Sequence, residues 1–207
     1  MNGTKKDIII LVADIGMEAA VRGILSRPHS LGIGNVEADI YRHPQKDPGC
    51  RTDGVSFLDP FSNQYEHALL IFDFTGCGDE STPAYEQEES LKKSMDGTWG
   101  EGGAEVVIIE PELDVWVWSD SPHVDNVIGW RGRHPALRPW LQEKGFLAPG
   151  SAKPEQPKEA LGAALRLVKK PRSSSIYFEL AQRVSLERCD DQAFLRLKAI
   201  LKRWFRR

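Results

Sequence analysis

The chain has 207 residues, of which 41% are hydrophobic and 28% charged, and its formal net charge is -3. That length and apolar content suffice for one packed domain, alone or with a small appendage, and exclude a disordered chain. The near-balanced charge excludes an overall basic surface and leaves only local patches for nucleic acid. Three cysteines, Cys50, Cys77 and Cys189, are odd in number and far apart. They argue against a disulfide framework and for a reducing compartment. No CxxC pair occurs and the histidines are scattered, which disfavours zinc. The apolar run Ile8 to Ala13 is cut by Asp14, too short for a signal-peptide core or a membrane span. A soluble cytoplasmic protein without membrane association is the expectation.

In chain order, Ile8 to Ala13 reads as a strand buried on both faces, the pattern of a central parallel strand. Met17, Ala20, Val21, Ile24 and Leu25 repeat at helical spacing, and Pro28 stops that helix. Val36 to Tyr41 is a candidate second strand. The Pro-, Gly- and charge-rich stretch Arg42 to Gly54 reads as a loop. HALLIFDF, His67 to Phe74, is another buried strand, ended by the turn-forming TGCGD. Pro83 to Met95 fits a weakly amphipathic helix, and Gly97, Gly100, Gly102 and Gly103 form a flexible loop before a strand at Ala104 to Ile109. Past Pro149, GSAKPEQPK reads as a linker or helix entry. Glu159 to Lys170 carries Leu161, Ala164, Leu165 and Val168 on one face, and a last helix does the same with Phe194, Leu197, Leu201 and Trp204. These elements predict a doubly wound, mainly parallel α/β sheet over 1–150, with 151–207 as a helical C-terminal layer packed on it in one structural unit.

In such sheets ligands collect at the carboxyl ends of the strands, and acids stand at those ends. Asp14 follows the first strand, Asp73 closes the third, and Glu110 and Glu112 follow the fourth. Magnesium takes oxygen ligands and often only one or two carboxylates plus water. Asp14, Asp73 and Glu112 are therefore the minimal candidate set, with Asp114 beside them and Glu18 one helical turn beyond Asp14. The plain alternative is that Asp14 caps the first helix and that Glu110 and Glu112 cap a helix beginning near Pro111. Trp116 and Trp118 would share a face in a strand but not in a helix. Arg131 and Arg133, in GWRGRH, are candidates for positioning a phosphate. The basic end KRWFRR suits a solvated helix terminus. Neither a P-loop nor a dinucleotide-binding turn nor a GxSxG elbow occurs.

Four segments carry a resemblance: VADIGME (Val12 to Glu18), IFDFTG (Ile71 to Gly76), PELDVWVWSD (Pro111 to Asp120) and CDDQAFLRLKAIL (Cys189 to Leu201). In this order they resemble small Toprim-like bacterial proteins of anti-phage defence, most of all a component of a methylation-associated defence system. The resemblance implies a Toprim-like, Rossmann-like core and an acidic centre of Asp14, Asp73, Glu112 and Asp114 that holds Mg2+ or Mn2+. The chemistry it implies is metal-dependent phosphodiester hydrolysis, with nucleic acid and other subunits of the defence system as partners. Asp14 stands where the family has glutamate, and Thr75 where catalytic members complete a DxD pair. A non-catalytic interaction subunit is therefore the alternative expectation.

Overall fold

The computed structural model describes residues 5–206. Strands β1 (Lys6–Val12), β2 (Ala38–Arg42), β3 (Tyr65–Asp73) and β4 (Ala104–Ile109) form one sheet in the order β2-β1-β3-β4, with every neighbouring pair parallel. Helices α1 (Ile15–Leu25), α2 (Pro28–Leu31), α3 (Lys46–Leu58), α4 (Ala84–Trp99), α5 (Pro122–Ile128), α6 (Leu137–Glu143), α7 (Pro157–Val168), α8 (Ser174–Arg183) and α9 (Gln192–Phe205) surround it. Short 3-10 turns lie at Asp59–Phe61 and Leu113–Trp116. Among the described residues no helix is long and apolar enough to cross a membrane.

The aliphatic runs of β1, β3 and β4 follow from burial on both faces. Ile8 to Val12 and Ala68 to Phe72 are sealed from solvent, and every residue of β4 is buried. From β1 the chain moves outward to β2 on one side and returns past β1 to β3 on the other. Right-handed crossovers in opposite directions place α1 on one face and α3 and α4 on the other, the doubly wound arrangement the sequence predicts. The strand order reverses between β1 and β3, so Asp14 and Asp73 stand on either side of the switch point.

Several local expectations are corrected. The stretch Arg42 to Gly54 is not a loop, because α3 begins at Lys46 within it. Its buried face includes Gly49, Cys50, Gly54 and Leu58, and glycines show no apolar periodicity. They are there for close approach, since a Cβ on Gly54 would come within 2.9 Å of the Leu70 methyls in β3. Gly97 belongs to α4, which runs on to Trp99. The segment after Pro111 is a single 3-10 turn and not the start of an α-helix. Helices α2, α5, α6 and α8 are additions to the sequence reading, and Pro28, expected only to stop the first helix, opens α2.

The segment α7 to α9 lies against the sheet and α1. Arg27 Nη1 donates to the carbonyls of Ala181 and Val184 at 2.9 and 2.6 Å, tying α1 to α8. Arg196 Nη2 reaches Glu88 at 2.9 Å and the Ile108 carbonyl at 3.2 Å, so α9 closes over the outer edge of β4. At the basic end Arg206 bridges to Ile33, while Arg207, like residues 1–4, lies outside the described residues. The α1–α8 seam depends on Gly23: a Cβ there would sit 2.7 Å from Ala181 Cβ and 2.8 Å from the Phe178 carbonyl oxygen. Backbone cannot yield as a long side chain can, so Gly23→Ala is expected to destabilise the fold by about 1 to 2 kcal/mol, read as a lower urea midpoint.

Candidate functional site

The carboxyl edge of the sheet gathers the acids from the bottom up. β1 ends at Val12, and two residues later Asp14, in extended backbone, accepts the Met17 N–H on Oδ1 at 2.9 Å. It is the N-cap of α1, satisfying one of the amides a helix start leaves unpaired. β3 ends at Asp73, whose Oδ1 accepts the Leu113 N–H at 2.8 Å and so fastens the exit of β4 over β3. The Asp73 N–H in turn donates to Asp47 Oδ1 at 2.8 Å, from the first turn of α3. Glu112, only 5% exposed, pairs through Oε2 with Lys158 Nζ of α7 at 3.2 Å.

Asp114 is more deeply committed. At 3% exposure it is held by Arg172 Nη2, 2.6 Å from Oδ1 and in contact with Oδ2 as well, and by the Tyr177 hydroxyl at 3.0 Å. Arg172 also donates to the Tyr177 oxygen, from Nε at 3.1 Å and from Nη2 at 2.7 Å. This clamp joins the turn after β4 to the entry of α8. It also bears on the start of α1, because a Cβ on Gly16 would come within 3.2 Å of the Tyr177 ring.

The charges explain the proton affinities. Burial first, and then the neighbouring charges of Asp47, Asp14 and Glu112, push the Asp73 carboxyl well above its ordinary value; the Leu113 amide opposes them. Burial also raises Asp47, against the pull of the Asp73 N–H. For Lys158 burial acts downward, and the bond and charge of Glu112, with Asp114 behind it, outweigh it and raise the ammonium. Burial leads again in raising the Tyr177 phenol, followed by the Asp114 charge.

The structure therefore brings Asp73, Asp14 and Glu112 into one electrostatic neighbourhood and adds Asp47, while Asp114 faces Arg172. Glu18 turns to Arg22 and Arg42, at 2.9 and 3.1 Å, and Glu110 is exposed. Arg131 and Arg133 are exposed on the turn between α5 and α6, where the Arg133 guanidinium lies over Trp130 at 5.9 Å. Trp116 and Trp118 use their indole N–H groups internally, on Asp191 at 2.9 Å and on the Pro157 carbonyl at 3.0 Å. Cys50 and Cys77 are buried free thiols and Cys189 is half-buried and free.

Sequence reasoning missed Asp47, Lys158, Arg172 and Tyr177. Pro48 directly after Asp47 was a usable signal, since an acid and a proline together suit a first helical turn. Pro157 before Lys158 was another. Nothing local marks Arg172, which finds Asp114 only through the tertiary fold.

A hard divalent cation needs several oxygens converging on one point. Among the described residues no three His, Cys, Asp or Glu side chains are grouped to hold a metal ion. Asp14 and Asp73 each spend an oxygen on a backbone amide, Glu112 is neutralised by Lys158 and Asp114 by Arg172. Asp14, Asp73, Glu112 and Asp114 do not fit Mg2+ or Mn2+ as a ligand set.

Fold and site together define a doubly wound, Rossmann-like parallel α/β protein whose carboxyl edge is an acidic network closed by basic residues of its C-terminal helices. Compared with protein-family models, with curated proteins and with solved structures, the chain has no match.

Proposed function

We propose that this chain is a Toprim-like component of a prokaryotic anti-phage defence system and that it acts as an interaction subunit, assembling with other proteins of the system. The observation that supports this reading is the internal commitment of the acids: each of the four carboxylates expected at a metal centre already has a backbone amide or a cation as partner. Carboxylates used in this way work as caps and clamps that hold loops in place, which is what a presented surface requires.

A second reading, a metal-dependent nuclease acting on nucleic acid, is favoured by one specific observation. Asp73 has Asp47, Asp14 and Glu112 as electrostatic neighbours, more negative charge than Lys158 alone balances.

Phage challenge of cells carrying the system separates the two. Asp73→Asn keeps the size and the Leu113 acceptor of the native side chain but removes its charge. Protection at the wild-type level is the expected result for an interaction subunit. Loss of protection with a normally folded variant would favour the nuclease.

A further inference from the structure

Beside the acidic edge, two adjoining spaces lie between the Leu113–Trp116 turn, α8 and the α8–α9 connection. The first is a small apolar cavity of about 50 Å³, walled by Ile24, Leu113, Leu180, Val184 and Phe194 among others. The second is a polar cleft of about 230 Å³ that contains Arg138, Lys153 and Arg188. They share Trp116, Ser119, Ser185 and Cys189 as a common wall.

In that wall the Ser119 hydroxyl is buried and has no hydrogen-bond partner among the described residues. A buried hydroxyl without a partner is costly, and a group that supplies the partner recovers the cost. The three cations of the cleft face Asp120 and Asp190, and Asp191 stands behind Trp116, whose indole N–H it accepts. Arg138 lies 3.8 Å from Asp120, whose side chain is almost fully solvated, and Lys153 is shared between Asp190 and Asp191 at 3.7 and 3.6 Å. Arg188 makes no ion pair among the described residues, so of the three cations it is the one left to meet a ligand's charge.

We infer that these two spaces form one binding site for a short aliphatic group bearing a carboxylate. The aliphatic end enters the apolar cavity, the carboxylate accepts from Ser119, and Arg188 supplies the countercharge. The same chemistry belongs to a free short-chain fatty acid and to the C-terminal leucine of a polypeptide.

Calorimetric titration of the full chain distinguishes them, using hexanoate, hexanamide, and a short peptide ending in leucine as the free acid and as the amide. Both acids, or either one, should bind, and the matching amide should bind at least about tenfold more weakly, because it lacks the charge that Arg188 meets. A tighter peptide acid assigns the site to a polypeptide terminus and a tighter hexanoate to a free acid. Arg188→Ala, a surface change that leaves the circular dichroism unaltered, should cost a similar factor, as should Ser119→Ala. Binding by neither acid, equal binding of acid and amide, or affinity unchanged in both variants would overturn the assignment.

Discussion

Arg172→Ala should lower the stability of the fold by about 3 to 5 kcal/mol, the cost of leaving a buried carboxylate without its countercharge. The carboxylate is Asp114, 3% exposed and held, among the described residues, by the side chains of Arg172 and Tyr177. The side chain of Arg172 is 37% exposed, so the converse change, Asp114→Ala, leaves a cation that water can reach and should cost less. Tyr177→Phe removes one hydrogen bond and should cost about 1 kcal/mol. Urea denaturation of the three variants checks both the size and the order. A loss under about 1 kcal/mol for Arg172→Ala would mean that the clamp does not hold the C-terminal helices on the core.

The second large effect has the opposite sign. Asp73→Asn should stabilise the protein at neutral pH, because it removes an ionisable group buried among like charges while keeping an acceptor for the Leu113 amide. The pH dependence follows from the raised proton affinity of Asp73. Below the ordinary carboxylate range both folded and unfolded chains hold the proton, and the contribution of Asp73 to stability is fully present. As pH rises the unfolded chain ionises first, so this contribution declines, and it is gone once pH passes the raised value of the folded state. Stability against pH, measured for wild type and Asp73→Asn, should show that decline only in the wild type. Parallel curves would show that Asp73 titrates like an ordinary surface acid.

How much of this was legible in the sequence depends on which interaction carries the signal. Strands buried on both faces leave continuous aliphatic runs, so β1, β3 and β4 could be read directly, and their spacing implied parallel crossovers. α3 could not be read, because glycine at Gly49 and Gly54 lets the helix approach the sheet without any apolar pattern. α8 follows a polar, Ser-rich stretch, and its place on α1 depends on the small contact at Gly23 and Ala181. The positions of Asp14 and Asp73 at strand ends were legible from the same apolar runs. Their partners were not: whether a carboxylate meets a cation, an amide or another carboxylate is decided by residues far away in sequence. Lys158 and Arg172 stand 46 and 58 residues from the acids they neutralise. Asp14 as a helix cap was one of the two readings its sequence position allowed, and its bond to Met17 is of that kind.

The acids of the carboxyl edge are committed within the protein, and that commitment has a direct test. Calorimetric titration of metal-free wild type and Asp73→Ala with Mn2+ and then Mg2+ supplies it. Neither protein is expected to bind either ion saturably. Saturable Mn2+ binding by the wild type that Asp73→Ala abolishes would contradict that expectation, and would make nuclease assays on DNA and RNA the next step.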